Sequence, residues 1–459
     1  MMPHLILPSL LCFSSFLFSA CDTPEKWQKT GATVEIVREG ERFQLLRHGK
    51  PYFIKGSGAY SNFEMLAEAG GNSIRIWDTN DATRILDQAH ALGLSVNLGI
   101  WLTREKEGFN YDDKRAVEKQ FEHAKRQVLK YKDHPALLMW SIGNEMNKNS
   151  RNIRVWDAIN EIAAMIHRLD PNHPVTTAIM GSKFRTIKII TERCPELDLL
   201  SFNVYGTLPE LAEDMEKSTW DGPYIVSEYG SLGYWEVDHT SWGSPIEPSS
   251  SQKADQIETM YKEHIRGNSE KCLGAYAFYW GNKHEKTHTW FSFFSSKGEK
   301  TEPVDILNYL WKGDLPKNQA PKIEELKLGA RLDKENLFVS RDSVYSAKII
   351  ASDPENDSLQ YTWEILPEIE IDDGAVERVA KPRPIDQSIV SAKGPLVHWK
   401  APPQAGAYRL YVKVTDNHNN MATANLPFFV EDEADTALPA KEARVESYVR
   451  SLSESLFVQ

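Results

Sequence analysis

Two glutamates in this sequence stand where a carboxylate can do chemistry. Residues 137–147 begin as an apolar run, typical of a strand buried on both faces, and contain Gly-Asn-Glu ending at Glu145. Residues 223–230 form a second short apolar run that ends in Ser-Glu-Tyr-Gly, with Glu228. A single glutamate at the end of an apolar run is usually a solvated loop residue, because burial of a carboxylate without compensating interactions is costly. Two strands that each deliver one glutamate at the carboxyl end indicate a carboxylate pair, as glycoside hydrolysis requires.

The elements that position these glutamates alternate in a regular order. Apolar runs and amphipathic segments follow one another eight times. This order predicts a parallel sheet with helical crossovers, and roughly 280 residues suit a closed (β/α)8 TIM barrel. An open doubly wound sheet is the alternative, but the glycine-rich phosphate turn that often follows its first strand is missing. The predicted strands lie within residues 52–56, 73–77, 94–101, 137–147, 175–180, 199–205, 223–230 and 273–280, and the predicted helices within 62–69, 82–92, 114–131, 153–167, 184–191 and 304–311.

Beyond the barrel the composition changes. Residues 314–321 contain Asp-Leu-Pro and Gln-Ala-Pro turns and read as a linker. Residues 359–363 and 408–414 then alternate with a period of two, which predicts a small all-β immunoglobulin-like sandwich over 322–432. The acidic turn at 353–357 could hold calcium, but we favour a solvated turn and expect neither a metal nor a cofactor. The complete division is a signal segment (1–21), a tether (22–32), the catalytic barrel (33–313), the linker, the sandwich and a charged tail (433–459).

The N-terminus reads as a signal segment. Residues 5–18 form an apolar stretch of fourteen residues, too short to span a bilayer as a stable helix, and lead to Ser-Ala-Cys at Cys21. This resembles a bacterial lipobox, which implies cleavage before Cys21 and a lipid on its sulfur. An ordinary secretory signal is the alternative, because residues 1–4 contain no lysine or arginine. Either case predicts a protein outside the cytoplasm; the lipobox predicts a lipid anchor in a bacterial membrane, with the cell surface as one destination.

Composition excludes several classes of function. The 459 residues, 41% hydrophobic and 26% charged, fit a globular protein of two domains. A formal charge of −12, with no basic run, argues against a nucleic-acid partner. Thirteen tryptophans and seventeen tyrosines offer flat faces that could stack on sugars or fill a core. We expect a monomer, in which Cys194 and Cys272 either pair or remain buried thiols.

The two glutamate motifs resemble those of the retaining β-glycosidases of clan A. In that clan the acid/base follows an asparagine at the end of strand four, and the nucleophile ends strand seven. Asn144-Glu145 and Glu228 fit these positions, and the match covers about residues 49–311. The resemblance implies that Glu145 protonates the glycosidic oxygen and later activates water, while Glu228 attacks the anomeric carbon. The two carboxyl groups should then lie about 5–5.5 Å apart.

Further site residues are expected from their positions and from the same resemblance. Arg75 would keep Glu228 ionised, and Asn144 would bond the sugar 2-hydroxyl. Tyr205 resembles the clan tyrosine near the nucleophile, and Trp280 the sugar-stacking floor at the end of strand eight. A structural ion pair is the alternative for Arg75, and core packing is the alternative for each aromatic residue. The candidates for additional sugar subsites are Trp101, Trp290 and Tyr60.

The motif set also suggests a substrate. Asn-Ser-Ile-Arg-Ile-Trp (72–77), Gly-Asn-Glu and Ser-Glu-Tyr-Gly on a barrel followed by an immunoglobulin-like domain are similar to bacterial endo-β-1,3-glucanases of glycoside hydrolase family 158. The chain also resembles fungal β-1,3-glucanosyltransferases and the family 2 catalytic barrel, although we expect no sandwich domains before this barrel. The resemblance implies endo-acting hydrolysis of β-1,3-glucan. A β-mannanase or another β-glycan hydrolase, a glucanosyltransferase, and a non-catalytic surface glycan-binding lipoprotein remain alternatives. The sandwich domain is expected to serve as a spacer.

Overall fold

The computed structural model describes most of the chain between residues 26 and 431. The described residues are 26–28, 30–329, 331–332, 336–369 and 381–431, with 331–332 as backbone alone. The predicted signal segment with Cys21, part of the tether (22–25 and 29) and the charged tail lie outside them. Among the residues described, no helix combines the length and the apolar character needed to cross a membrane. Cys194 and Cys272 are both free and buried, so they do not pair.

An N-terminal antiparallel sheet precedes the barrel and covers its amino-terminal opening. Its apolar side chains, including Val34 and Phe43, pack against Leu138, Leu199 and Leu273, which lie near the starts of barrel strands. Burial of this apolar surface attaches the sheet to the barrel. The sheet contains β1 (Val34–Glu39), β2 (Arg42–Arg47) and β3 (Lys50–Pro51), in that order.

Eight parallel strands close into the barrel, as the sequence predicts. The strands are apolar and almost continuously buried, because helices cover one face and the barrel core fills the other. Among the polar side chains of these strands, Arg75, Asn144, Asn203 and Glu228 lie toward the carboxyl ends. The strands are β4 (Ile54–Gly58), β5 (Ser73–Ile76), β6 (Ser95–Ile100), β7 (Leu137–Asn144), β8 (Val175–Met180), β9 (Leu200–Asn203), β10 (Tyr224–Tyr229) and β11 (Cys272–Ala277), closed by the pairing of β11 with β4 and of β9 with β10.

Helices connect these strands. The helix after β7 buries Val155, Ile159, Ile162 and Ile166 on one face, at the spacing of an amphipathic helix. Two helices, at 211–217 and 250–259, were not predicted, because few apolar residues mark their buried faces. The helices are α1 (Phe63–Glu68), α2 (Ala82–Ala91), α3 (Lys114–Tyr131), α4 (Arg154–Leu169), α5 (Phe184–Arg193), α6 (Leu211–Lys217), α7 (Ser250–Thr259) and α8 (Glu302–Lys312), with a π-helical segment at Met260–Arg266 and 3-10 turns at Glu105–Glu107 and Leu208–Glu210.

A sandwich of two β-sheets follows the barrel, as predicted. Ile349 and Trp399 of one sheet and Ile365, Leu410 and Phe428 of the other share a single apolar core. The sheets have the orders β13-β12-β15-β18-β17 and β14-β20-β19-β16, where the strands are β12 (Lys322–Leu328), β13 (Arg331–Leu332), β14 (Phe338–Ser340), β15 (Val344–Ser352), β16 (Gln360–Pro367), β17 (Ile389–Lys393), β18 (Leu396–Lys400), β19 (Gly406–Thr415) and β20 (Met421–Glu431).

The sandwich packs directly on the barrel. Ser250 and Ser251 at the start of α7 accept backbone N–H groups of Thr423 (3.0 Å) and Ile323 (2.9 Å). Trp242, in the loop between β10 and α7, stacks edge-on against Phe338, with ring centroids 5.3 Å apart. The domain expected to be a spacer therefore also supports the loop that follows β10.

Candidate active site

Glu145 lies in a sharp turn beyond β7. Gly143 has φ +68° and Glu145 has φ +52°, so the chain bends as it leaves the barrel. A Cβ atom on Gly143 would lie 2.8 Å from Met146 Cγ, so glycine fits here without displacement of a neighbour. The backbone N–H of Glu145 donates to Ala178 O of β8 at 2.8 Å. This turn places the Glu145 side chain in a groove at the carboxyl ends of the strands.

Glu228, near the end of β10, is held by three hydrogen-bond donors. Arg75 Nη1 and Trp77 Nε1 both donate to Oε1, at 2.7 and 2.9 Å. Tyr205 OH donates to Oε2 at 3.0 Å. Burial, reinforced by the carboxylate of Glu228, raises the pKa of Tyr205 well above its usual value, so the phenol retains its proton. One cation and two neutral donors thus stabilise the carboxylate anion and fix its orientation.

Asn203, the last residue of β9, links the two glutamates. Its Nδ2 donates to Glu145 Oε1 at 3.0 Å. Its Oδ1 accepts from Arg75 Nη1 at 3.3 Å and from Ser227 Oγ at 2.8 Å. Since Arg75 also pairs with Glu228, one continuous hydrogen-bond network joins both carboxyl groups.

The electrostatic environment of Glu145 differs from that of Glu228. Burial raises the pKa of Glu145, and the nearby charge of Glu228 raises it further, while the hydrogen bond from Asn203 acts in the opposite direction. No lysine or arginine forms an ion pair with Glu145 in the part of the chain described, whereas Arg75 pairs with Glu228. The two carboxyl groups therefore lie in different environments: Glu228 is paired with a cation, whereas Glu145 lacks such a pair among the described residues and has a raised pKa, as a group that donates a proton requires.

Asn144 is oriented by its neighbours. Arg75 Nη2 donates to its Oδ1 at 2.7 Å, and Asn203 Nδ2 donates to the same oxygen at 3.2 Å. Because both bonds use the oxygen, the amide nitrogen is left to donate elsewhere, and Asn144 lines the groove. A hydroxyl of a bound sugar is a suitable acceptor.

Both glutamates line one open groove of about 1950 Å³. Its walls come from the segments that follow the barrel strands, including those after β10 and β11. Tyr60 and Trp101, expected at sugar subsites, both lie along it. Tyr60 stacks on Trp77, with ring centroids 5.9 Å apart, and Arg104 lies over the Trp101 ring at 5.3 Å. Further aromatic rings along the groove belong to Phe109, Tyr234, Trp235, Phe278 and Tyr279.

Trp280 does not form the floor that the sequence suggested. Its side chain is fully buried, stacks on Trp311 with centroids 6.0 Å apart, and donates its Nε1–H to Asn62 O at 2.9 Å. Tyr279, one residue earlier, lines the groove instead. These residues follow the end of β11 in a turn, which brings Phe278 and Tyr279 to the groove and directs Trp280 into the core.

Trp290 also lies outside the groove lining. Its side chain is fully buried, and its Nε1–H donates to Leu232 O at 3.0 Å. Its ring packs edge-on against Tyr234, with centroids 5.9 Å apart. Trp290 therefore supports a groove residue and cannot itself stack on a sugar, because no face of its ring reaches solvent.

Sequence reasoning missed Trp77, Asn203 and Glu285. Trp77 and Asn203 were part of predicted strand runs, and their position at a strand end was the available signal. Glu285 lies in the groove, pairs with Lys283 at 2.8 Å, and has its pKa raised mainly by burial. No local pattern marks it. Within the described residues, the one group of three side chains with metal-ligand spacing lies in the sandwich, away from this groove.

Comparison with known proteins identifies a similar domain. Residues 65–235 match the family model described as "Glycosyl hydrolases family 2, TIM barrel domain". This segment extends from α1 to the loop after β10 and includes both Glu145 and Glu228.

Several solved structures match part of this chain. The crystal structure of Bacteroides uniformis β-glucuronidase is 14% identical, with 87% of this chain and 48% of that chain covered, at a TM-score of 0.47. The β-D-glucuronidase of Dictyoglomus thermophilum is 18% identical (62% and 54% covered, TM-score 0.47). A family 2 β-galacturonidase from Eisenbergiella tayi, bound to galacturonate, is 16% identical (61% and 54% covered, TM-score 0.48). The chain spans about half the length of these proteins. By its family match, the central part of this barrel is similar to the TIM barrel domain of the family 2 glycosyl hydrolases.

Proposed function

We propose that this protein is a retaining glycoside hydrolase in which Glu145 is the acid/base and Glu228 is the nucleophile. Glu228 attacks the anomeric carbon while Glu145 gives its proton to the glycosidic oxygen, and the bond between that carbon and that oxygen breaks. Water then attacks the same carbon, Glu145 accepts a proton from the water, and Glu228 is released. The product keeps the anomeric configuration of the substrate.

The observation that carries this proposal is the asymmetry of the two carboxyl groups. Arg75, Trp77 and Tyr205 donate to Glu228, which favours the anion that must attack. Burial and the neighbouring anion raise the pKa of Glu145, which favours the protonated form that must donate. Two glutamates that merely lined a groove would not require one environment that stabilises an anion and another that raises a pKa.

The neighbouring residues support these two roles. Asn144 donates from its amide nitrogen to a sugar hydroxyl, while Arg75 and Asn203 hold its oxygen. Arg75 also pairs with Glu228 at 2.7 Å, so it positions the nucleophile and the asparagine together. Tyr205 orients the second oxygen of Glu228.

As substrate we propose a β-linked polysaccharide, with β-1,3-glucan as the first candidate and internal cleavage as the mode. The groove of about 1950 Å³ supports a polymeric substrate, because pockets for single small ligands usually measure about 300–1,000 Å³. The aromatic residues along it offer faces for several sugar rings. The choice of β-1,3-glucan rests on the motif resemblance to family 158 endo-β-1,3-glucanases.

A second candidate substrate is a β-linked glycan that carries carboxylate or sulfate groups. Lysine and arginine side chains line the groove and slightly outnumber its acidic side chains, although the chain as a whole has a formal charge of −12. Cations placed there would attract an anionic polymer. The basic groove residues are Arg104, Lys106, Lys119, Arg126, Lys148, Lys183 and Lys283.

A product profile tests both candidates. Purified protein lacking residues 1–21 is incubated with β-1,3-glucan, mixed-linkage glucan, cellulose, xylan, mannan and a uronic-acid-containing β-glycan. We expect short oligosaccharides from β-1,3-glucan, a loss of about 10²–10⁴-fold in Glu145→Gln, and no detectable product in Glu228→Gln. The matched control is Glu118→Gln, an exposed glutamate on α3.

The outcomes separate mechanism from specificity. Activity on another glycan, lost in both glutamate variants, retains the mechanism and replaces the substrate. Products from a donor and an acceptor glycan in place of hydrolysis indicate a transglycosylase. Binding of a glycan without turnover by the parent protein would refute the enzymatic proposal and favour a glycan-binding protein.

A further inference from the structure

Two acidic turns of the sandwich meet at one place. The first connects β15 to β16 and contains Asp353 and Asp357, and the second connects β19 to β20 and begins at Asp416. These three residues each offer a carboxylate oxygen, and the three oxygens lie within 4.8 Å of one another. One oxygen of Asp353 accepts the N–H of Asp357 at 2.9 Å, and one oxygen of Asp416 accepts the N–H of Asn420 at 3.0 Å.

The second carboxylate oxygen of Asp353, Oδ2, is the atom that indicates a ligand at this place. The residue is only 9% exposed, and its Oδ2 is buried without a hydrogen-bond partner among the described residues. A buried carboxylate oxygen that receives no donor loses its hydration without replacement, which is costly. Because Asp353 lies beside two further carboxylates, a positive ligand would be stabilised at this place.

The surrounding charges do not neutralise this cluster. In the described part of the chain, neither lysine nor arginine forms an ion pair with Asp353, Asp357 or Asp416. The basic neighbour is His418, which approaches Asp357 at 3.5 Å and is itself largely exposed. Three converging carboxylates repel one another at these distances unless a cation lies between them.

We propose that Asp353, Asp357 and Asp416 bind one Ca²⁺ ion. The donor set consists of hard oxygen atoms, which suit calcium better than zinc or copper. Calcium takes about 6–8 oxygen ligands, so carbonyl or amide oxygens and water complete the sphere. Asn318 lies next to the cluster. Its Nδ2 donates to Asp357 Oδ2 at 2.8 Å, and its Oδ1 accepts a hydrogen bond from Asn420 Nδ2.

The position of this site explains what calcium would do. Asn318 and Gln319 belong to the segment between α8 and β12, and Gln319 bonds Glu355 of the first turn at 2.9 Å. Lys300, in the barrel, donates its backbone N–H to Asn419 O of the second turn at 3.1 Å. A bound ion therefore joins both turns of the sandwich at the point where they contact the barrel and the linker, which stabilises this junction.

Calcium binding by the purified protein tests the proposal. The chain lacking residues 1–21 is treated with a chelator, exchanged into metal-free buffer, and titrated with CaCl₂ by calorimetry and in thermal unfolding. We expect one ion per chain, a Tm that rises with the logarithm of free calcium, and a smaller effect of MgCl₂. Asp353→Asn and Asp416→Asn should lose the heat of binding and the calcium-dependent rise in Tm.

Asp386→Asn serves as the matched control, because it removes one exposed carboxylate of the same domain outside the cluster. Should Asp353→Asn fail to fold, Asp357→Asn, which alters a partly exposed carboxylate, provides the same comparison. Absence of binding heat and of a Tm shift in the parent protein would overturn the site. An equal calcium response in the cluster variants and in Asp386→Asn would also overturn it.

Discussion

At Asn203 a single side-chain amide contacts one candidate catalytic glutamate directly and is connected to the other through Arg75. Its nitrogen donates to Glu145, while its oxygen accepts from Arg75, the ion-pair partner of Glu228. The bond to Glu145 stabilises the charged form of that carboxyl group and so opposes the effect of burial on its pKa. The position of Asn203 thus bears on both the geometry and the protonation of the site.

Removal of the Asn203 amide should move the pH dependence of catalysis. Glu145 must be protonated in the first step, so kcat/KM falls as the pH rises through its raised pKa. In Asn203→Ala the donor that lowers this pKa is missing, so the alkaline limb of kcat/KM should move to higher pH while kcat itself decreases. The measurement is a pH–rate profile on the substrate found in the product screen. The control is Asn80→Ala, at the exposed rim of the groove, which should leave the alkaline limb of kcat/KM unchanged. An alkaline limb that stays at the same pH in both variants would contradict the effect of Asn203 on the Glu145 pKa.

Trp77 should orient the nucleophile through its indole N–H. In Trp77→Phe an aromatic ring remains, but the 2.9 Å bond to Glu228 Oε1 is lost. Misplacement of the carboxylate should lower kcat/KM by about 10- to 100-fold, with little change in Tm. The control is Trp101→Phe, the same substitution at another tryptophan of the groove. Among the described residues, Trp101 forms no hydrogen bond to either glutamate, so this variant should have a much smaller effect. Equal losses in the two variants would mean that the ring, rather than its N–H group, is what matters.

At the scale of elements, the site exists because four strands end at the same rim. Arg75, Asn144, Asn203 and Glu228 occupy the carboxyl-terminal portions of β5, β7, β9 and β10. Parallel strands in a closed barrel direct these ends to one opening, so residues far apart in sequence become neighbours. Glu145 joins them only through the turn after β7, where Gly143 has φ +68°.

A Cβ atom at Gly143 should therefore disturb both stability and activity. Gly143→Ala places an alanine in the left-handed region and brings its Cβ within 2.8 Å of Met146, so Glu145 should be displaced. Gly93→Ala is the matched control: Gly93 has φ +73°, but an added Cβ meets no atom within 4 Å. The control should lose about 1–2 kcal/mol of unfolding free energy at unchanged kcat. Gly143→Ala should lose more stability and also kcat, as measured by denaturant unfolding and by steady-state kinetics.

At the scale of the whole molecule, the barrel and the sandwich share a buried polar network. Glu247, which lies between β10 and α7, accepts from Lys253 of α7 at 2.6 Å and from Asn425 of β20 at 2.8 Å. Thr287 and Thr289, from the segment after β11, donate to the same carboxylate at 2.7 and 2.8 Å. Burial alone would raise the pKa of Glu247, but the charges and hydrogen bonds around it, chiefly from Lys253, lower it to about 2. The network thereby connects two groove-forming loops to the second domain.

Removal of Lys253 should show how much this network stabilises the molecule. Lys253→Met leaves the Glu247 carboxylate buried beside fewer positive charges, which should cost about 3–5 kcal/mol of unfolding free energy. The loss should diminish as the pH falls through the Glu247 pKa of the variant, because the protonated acid no longer needs the cation. The control is Lys262→Met, which removes an exposed lysine paired with Glu258 one helical turn away and should leave unfolding unchanged. Similar Tm values for both variants would contradict a stabilising role for the buried pair.

Features that depend on local patterns could be predicted from the sequence alone. Alternating apolar runs and amphipathic segments predict the barrel, since hydrophobic periodicity is set by residues a few positions apart. The change to a period of two predicts the sandwich. Glu145 and Glu228 could be selected because each follows a buried apolar run, where a strand of a barrel reaches its functional face. None of these inferences needs to know which distant residues touch.

Contacts between side chains far apart in the sequence could not be predicted and emerged from the fold. Trp280 and Tyr279 are adjacent aromatic residues, and packing against Trp311 buries the first and leaves the second along the groove. Asn203 and Trp77 acquire their roles from partners on other strands. The acidic turn at 353–357 is an ordinary loop in sequence and becomes a candidate ion site only where Asp416 joins it. The physical reason is the same in each case: these contacts join residues far apart along the chain, and closure of the barrel and packing of the sandwich bring them together.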